Sequence, residues 1–182
     1  AVEKDCCHRA ASVKEEIAFA LQHEDLAGIF GKLLENGEVP LRVTHNDTKL
    51  NNIMIDLETG KGICVVDLDT VMPGLAMNDF GDAIRFGAST ALEDEKDLSK
   101  VSCDMELYEI YVKGFLESCG DKLNAREIEM LPMGAKVMTY ECGIRFLTDY
   151  LEGDHYFKID REDHNLDRCR TQFKLVADME QK

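Results

Sequence analysis

Thr44-His45-Asn46-Asp47-Thr48-Lys49-Leu50-Asn51-Asn52 is followed by the run Val65-Val66-Asp67-Leu68-Asp69, in which Asp67 stands fifteen residues after Asn52. The first stretch reads H-x-D-x-K-x-x-N, and the second is a short apolar run that stops on a carboxylate. Each of these residues has an ordinary reading by itself. A loop aspartate usually caps or turns the chain, and an amide often does the same. Together they supply a carboxylate, a cation and two hard oxygen donors, which is what phosphorylation of a hydroxyl group requires. Asp47 is the candidate general base that orients the acceptor hydroxyl and takes its proton. Lys49 is placed to neutralise charge on a transferred phosphoryl group. Asn52 and Asp67 offer one amide and one carboxylate oxygen, suited to Mg²⁺, which takes few protein ligands and leaves the rest to phosphates and water. Asp69 has three readings: a share in the metal, a substrate contact, or a turn residue with Thr70. His45 reads as a hydrogen-bonding residue behind the loop, since Asp47 already fills the role of base.

Around this stretch the chain reads as mostly helical. The apolar spacing of Ala11 to Leu21 and of Leu26 to Leu34 predicts two amphipathic helices, the second stopped by Asn36-Gly37 and Pro40. Leu41 to His45 reads as a short strand. Asn52 to Asp56 and Gly62 to Leu68 flank Glu58-Thr59-Gly60-Lys61 as a β-hairpin, and Pro73-Gly74 reads as a turn. Helical patterns follow over Asp79 to Ala88, Asp104 to Ser118, Glu127 to Glu152 (with Pro132 at its start or at a kink) and about His164 to Met179. Asp79 and Asp82 read as caps and buttresses of their helix, with Arg85 as a partner. The fold class expected is α+β and predominantly helical, one unit over residues 1–182, with a small β-hairpin carrying the catalytic loop and the metal aspartate.

Composition narrows the setting. The chain has 182 residues, 45% hydrophobic and 31% charged, with a net charge of −15. That balance argues against nucleic acid or an anionic membrane as partner. Seven cysteines without a C-x-x-C pair read as reduced thiols in a cytoplasmic protein, with Cys64 and Cys142 in the core. No apolar run reaches the ~18 residues of a membrane span, and no signal peptide is visible. The start at Ala1 without an initiator Met reads as an excised fragment or a processed product.

His45, Asp47 and Asn52 match the H-x-D-x-x-x-x-N signature of aminoglycoside phosphotransferases, choline kinases and protein kinases, and Asp67 matches the metal aspartate of their second motif. Asp67-Leu68-Asp69 stands where protein kinases have D-F-G, and no A-P-E follows, which points to the small-molecule branch. Within it the chain resembles bacterial N-acetylhexosamine 1-kinases over residues 40 to 157. Val66-Asp67-Leu68-Asp69-Thr70-Val71-Met72-Pro73-Gly74, Asp79-Phe80-Gly81-Asp82 and the segment Glu141 to Asp154 carry that likeness. The resemblance implies the C-terminal lobe of a protein-kinase-like fold, with ATP and Mg²⁺, acting on the anomeric hydroxyl of GlcNAc or GalNAc. It also implies that Arg145 and Tyr156 contact the sugar; on the residues alone, Arg145 could equally pair with a helix-surface carboxylate and Tyr156 close a loop.

The family's other half is not in the sequence. No G-x-G-x-x-G occurs, and Gly60-Lys61-Gly62 suits a hairpin tip. The expected partners are therefore a sugar and an N-terminal ATP-gripping lobe supplied elsewhere, and little turnover is expected of the chain alone. Two further readings stand beside this one: a kinase of another small alcohol (an aminoglycoside, choline or a homoserine-like acceptor), and a truncated, non-catalytic binding remnant. A sulfatase-type hydrolase is excluded, because none of the three prolines has Cys or Ser two residues before it.

Overall fold

The computed structural model describes all of residues 1–182. Seven α-helices and four short strands make up its regular structure: α1 Lys14–Gln22, α2 Ile29–Glu35, β1 Arg42–Thr44, β2 Ile53–Ile55, β3 Gly62–Val65, β4 Met72–Gly74, α3 Ala76–Gly87, α4 Met105–Cys119, α5 Ala125–Glu129, α6 Leu131–Glu152 and α7 His164–Met179. The chain divides into two compact units. One holds residues Phe30–Ala88 and Asp104–Met138; the other holds Ala1–Ile29, Ser89–Cys103 and Thr139–Lys182. No helix is long and apolar enough to cross a membrane.

The first unit is organised on α3. Its inner face buries Met77, Phe80 and Ile84 completely, with Leu131 and Ala135 of α6 also in the core. Phe80 meets Tyr108 and Phe115 of α4 edge-on, at ring distances of 6.0 and 5.2 Å, the geometry that aligns a ring edge with a π face. Helices α3 and α6 approach until their backbones touch. A Cβ at Gly81 would stand 2.1 Å from the Gly134 carbonyl oxygen, and one at Gly134 would stand 2.3 Å from that of Met77. Only glycine fits at that crossing. Arg42 of β1 is tied to Glu127 of α5 by two hydrogen bonds of 2.6 Å, while Glu127 also closes a capping box with Asn124.

Two antiparallel pairs hold the loop stretch. Strand β1 pairs with β4 (Arg42↔Gly74, Val43↔Pro73, Thr44↔Met72), and β2 pairs with β3 (Ile53↔Val65, Met54↔Cys64, Ile55↔Gly62). The β2–β3 tip is the expected hairpin turn: Gly60 has φ +68°, and the Asp56 carboxylate accepts the Glu58 and Thr59 N–H groups.

The second unit packs α1 and α7 with the later turns of α6. Val13, Val101, Leu151, Cys169, Leu175 and Val176 are its most enclosed apolar side chains. Phe19 stacks on Phe173 at 4.7 Å, and the Tyr140 hydroxyl donates to the Ala20 carbonyl at 2.6 Å.

Three local expectations are corrected. Pro73-Gly74 is not a turn but part of β4; a proline is tolerated on such an edge because it owes the ladder no donor. The segment 127–152 is two helices, broken at Met130, and Pro132 occupies the second position of α6, where a missing N–H costs nothing. Cys64 is exposed rather than in the core, whereas Cys142 is buried. The apolar run 62–65 belongs to a two-stranded hairpin with Met54, Ile55, Ile63 and Val65 all half exposed or more, so its alternation marks no covered face.

Candidate active site

The loop between β1 and β2 is shaped by side chains that take its backbone N–H groups. Asp79, in the first turns of α3, accepts from the N–H of His45 and of Asn46, each at 2.8 Å. One turn later, Asp82 accepts the Thr48 N–H at 2.7 Å and is held on its other oxygen by Arg85 Nε, also at 2.7 Å. The Thr48 hydroxyl donates to the Asp79 carbonyl at 2.6 Å. Asp79 and Asp82 therefore do not cap α3, whose N-cap is Leu75; they secure the loop, while the expected pairing of Arg85 with Asp82 is present. Asn46 takes a left-handed φ of +64°, which asparagine tolerates, and its amide donates to the Thr70 carbonyl at 2.9 Å.

His45 sits behind this loop. Its Nε2 donates to the Val66 carbonyl at 3.0 Å and its Nδ1 accepts the Asp47 N–H at 3.3 Å. Those partners require the neutral tautomer protonated on Nε2. The ring thus links the Asp47 loop to the strand end that leads into Asp67.

Asp47, Lys49 and Asn52 converge. Asp47 Oδ2 receives the Lys49 ammonium at 2.8 Å and the Asn52 amide N–H at 2.8 Å, and the same amide nitrogen donates to the Asp47 carbonyl at 2.8 Å. Asn52 is itself buried and lines the cavity beside Asp47 and Lys49. Partial burial works against the charge on Asp47. The hydrogen bonds from Lys49 and Asn52, with the positive charges of Lys49 and Arg85, outweigh it and hold the carboxyl below the usual aspartate range. A cavity of about 420 Å³ belongs to the other unit and is described below; this one measures about 360 Å³ and has Asp47, Lys49 and Asn52 beside an apolar wall of Val43, Ile53 and Val71.

Asp67 follows β3 with a left-handed φ of +63° and opens the single turn Leu68–Thr70. Its exposed carboxyl is pushed above the ordinary range, first by a hydrogen bond shared with Asp69 and then by the repulsion of that neighbour's charge and of Asp47. Carboxylates crowded like this favour a cation between or beside them. No group of three or more His, Cys, Asp or Glu side chains forms a self-sufficient metal cage. The donors present are hard oxygens, an amide and a carboxylate, and they are few. That set fits Mg²⁺ completed by phosphate oxygens and water, and it would not suit a structural zinc.

Arg145 and Tyr156 lie together in the second unit. The Arg145 guanidinium is 5.7 Å from the Tyr156 ring centre and 5.3 Å from that of Phe157, with Nη2 at 3.4 Å from the Tyr156 hydroxyl. Arg145 also reaches Glu141 one turn earlier, at 3.8 Å. The turn bearing Tyr156 is fixed by buried Asp149, whose Oδ1 accepts the His155 and Tyr156 N–H groups at 2.9 and 2.8 Å and whose Oδ2 accepts the Phe157 N–H and the Asn165 amide, both at 2.9 Å. These side chains line the cavity of about 420 Å³ together with Ile144, Thr148 and Glu152. Asp149 was not singled out in the sequence. Its only signal is an acidic residue in the last turn of a helix, followed four residues later by a glycine.

The comparison with known families adds one finding. The family model described as APH, phosphotransferase enzyme family, matches residues 2–109, more than half of the chain and inclusive of the Asp47 loop and Asp67.

Proposed function

The chain belongs to the phosphotransferase enzyme family, and from that premise we propose that this kinase-type enzyme moves the γ-phosphate of ATP to the anomeric hydroxyl of an N-acetylhexosamine, GlcNAc or GalNAc. The observation that carries the reading is the convergence of Lys49 and Asn52 on Asp47 in a loop pinned through its backbone. Asp47 is the general base. Held ionised, it accepts a hydrogen bond from the acceptor hydroxyl and takes its proton as the new P–O bond forms. Lys49 keeps that carboxylate charged and adds positive charge next to the transferred group. Asn52 fixes the Asp47 rotamer and, with Asp67, would hold Mg²⁺. That ion, when bound with ATP, supplies charge neutralisation on the phosphates. Asp69 shares a hydrogen bond with Asp67, which supports a part for it in binding metal or substrate.

Arg145 and Tyr156 are proposed as sugar contacts. An aromatic face and a forked donor suit a pyranose ring with its N-acetyl group, and these two residues offer both. The acidic surface fits cationic acceptors as well, which keeps an aminoglycoside or choline kinase as the second reading. In the absence of a glycine-rich phosphate loop in the sequence, the 182 residues alone are proposed to hold ATP weakly. The test is an ATP-consumption screen of GlcNAc, GalNAc, aminoglycosides, choline and homoserine, with the product located by ³¹P and ¹³C NMR. Phosphate on the anomeric carbon of a hexosamine is expected. Turnover of a cationic alcohol in place of the sugars would replace the reading with its rival.

A further inference from the structure

Adjacent side chains of an extended strand point to opposite sides. Cys6 and Cys7 do not. The His8 N–H donates to the Asp5 carbonyl at 3.0 Å, which makes the two cysteines the central residues of a β-turn and brings their sulfurs to 3.9 Å. The turn is fixed from both sides. Asp5 and His8, which flank the pair, have φ of +35° and +56°. The Asp5 carboxylate accepts the Ala10 N–H at 2.9 Å, and Cys6 Sγ rests 3.6 Å from the Leu151 carbonyl. Arg9 is bound to the Tyr150 carbonyl at 2.6 Å and to Asp154 at 2.5 Å. Both thiols are free and exposed, whereas Cys103, Cys142 and Cys169 are buried and Cys64 and Cys119 stand on separate elements.

We propose that Cys6 and Cys7 form a preorganised dithiol site for trivalent arsenicals, R–As(OH)₂. Arsenic(III) is a soft, thiophilic centre. Two As–S bonds form and two As–O bonds break, each hydroxide leaving as water with a proton from one thiol. Arsenic remains trivalent and no oxidant is involved. Because the second sulfur is already 3.9 Å from the first, the second bond closes intramolecularly, and the chelate outlasts any single-thiol adduct. The ring formed would lie beside the Tyr156 turn: a Cβ on Gly153 would be 3.1 Å from Cys7 Sγ and 3.0 Å from His155 Nε2.

The test is titration of the reduced 182-residue chain with phenylarsine oxide, followed by native mass spectrometry under competition by glutathione and then by 2,3-dimercaptopropanol. One phenylarsenic per chain is expected, resistant to the monothiol and released by the dithiol, with the adduct mapping to the peptide that contains Cys6 and Cys7. Cys6→Ser and Cys7→Ser should each lose resistance to glutathione on the order of 100-fold, and Cys64→Ser should retain it. Removal of the adduct from the unaltered chain by glutathione alone would overturn the proposal. So would undiminished retention in the Cys6→Ser chain, or mapping to Cys142 and Cys169. Should a serine variant fail to fold, competition and mapping on the unaltered chain decide the matter.

Discussion

The loop at residues 45–48 and the turn at residues 155–157 are held by the same device and present opposite chemistry. In both, carboxylates on a helix accept several backbone N–H groups: Asp79 and Asp82 from His45, Asn46 and Thr48, and Asp149 from His155, Tyr156 and Phe157. A charged acceptor makes stronger bonds than a neutral carbonyl, so each segment gains a defined shape without belonging to a helix or sheet. What the shape displays differs. The loop exposes a carboxylate already paired with a cation and an amide, and its functional groups hold one another. The turn exposes an aromatic ring 74% accessible to solvent and a guanidinium beside it, whose contacts are looser. An ionic cluster fixed in advance suits a reaction, since charge at the reacting centre must not have to reorganise. A soft aromatic and guanidinium surface suits recognition.

Substitutions separate these two roles, and the largest effect belongs to the loop. Asp47→Asn should lower kcat by about 10²–10⁴-fold, the range of a positioned acid–base group, with the circular dichroism spectrum unchanged. Next comes the support of that loop. Asp79→Ala leaves the His45 and Asn46 N–H groups without their acceptor, and kcat should fall on the order of 10²-fold through misplacement of Asp47, with ~1–3 kcal/mol lost in urea unfolding.

For the turn, Asp149→Asn is the sharper probe than alanine. One amide NH₂ must then face either the His155 and Tyr156 donors or the Phe157 and Asn165 donors. With the hexosamine proposed as acceptor, its KM should rise about tenfold, roughly 1.4 kcal/mol of binding, while kcat changes little. Equal losses in kcat from Asp79→Ala and Asp149→Asn would erase the distinction between the two segments.

The smallest effect is on pH dependence. Lys49 favours the ionised form of Asp47, so its removal must raise that pKa. In the unaltered enzyme the acid limb due to Asp47 should lie below the ordinary aspartate range, because the ionised form is lost only as pH falls through the depressed value. Lys49→Met should move the acid limb of kcat/KM to higher pH. An unmoved or lowered limb would show that Lys49 does not act on Asp47.

The two segments were not equally legible in the sequence. The loop was, because Asp47, Lys49 and Asn52 lie within five positions of one another and short-range spacing alone brings them together. Its supports were misread. Aspartates near a helix start look like caps, and nothing local shows that α3 begins at Ala76 or that Asp79 faces a loop more than thirty residues earlier. Helix α7 was readable because its start is marked by polar residues and its apolar period is unbroken. The turn at 155–157 has no such pattern. Its order comes from Asp149 and Asn165, which converge from two helices, and long-range convergence leaves no spacing to read. Cys64 failed for a related reason: alternation predicts a face, not whether anything covers it.

The central claim is that Asp47 is the base of a phosphoryl transfer to a hexosamine, and single-turnover transfer from ATP to GlcNAc by the Asp47→Asn enzyme tests it most directly. A rate at least about 10²-fold below that of the unaltered enzyme, with GlcNAc affinity preserved, is the predicted result. An unchanged rate would contradict the account.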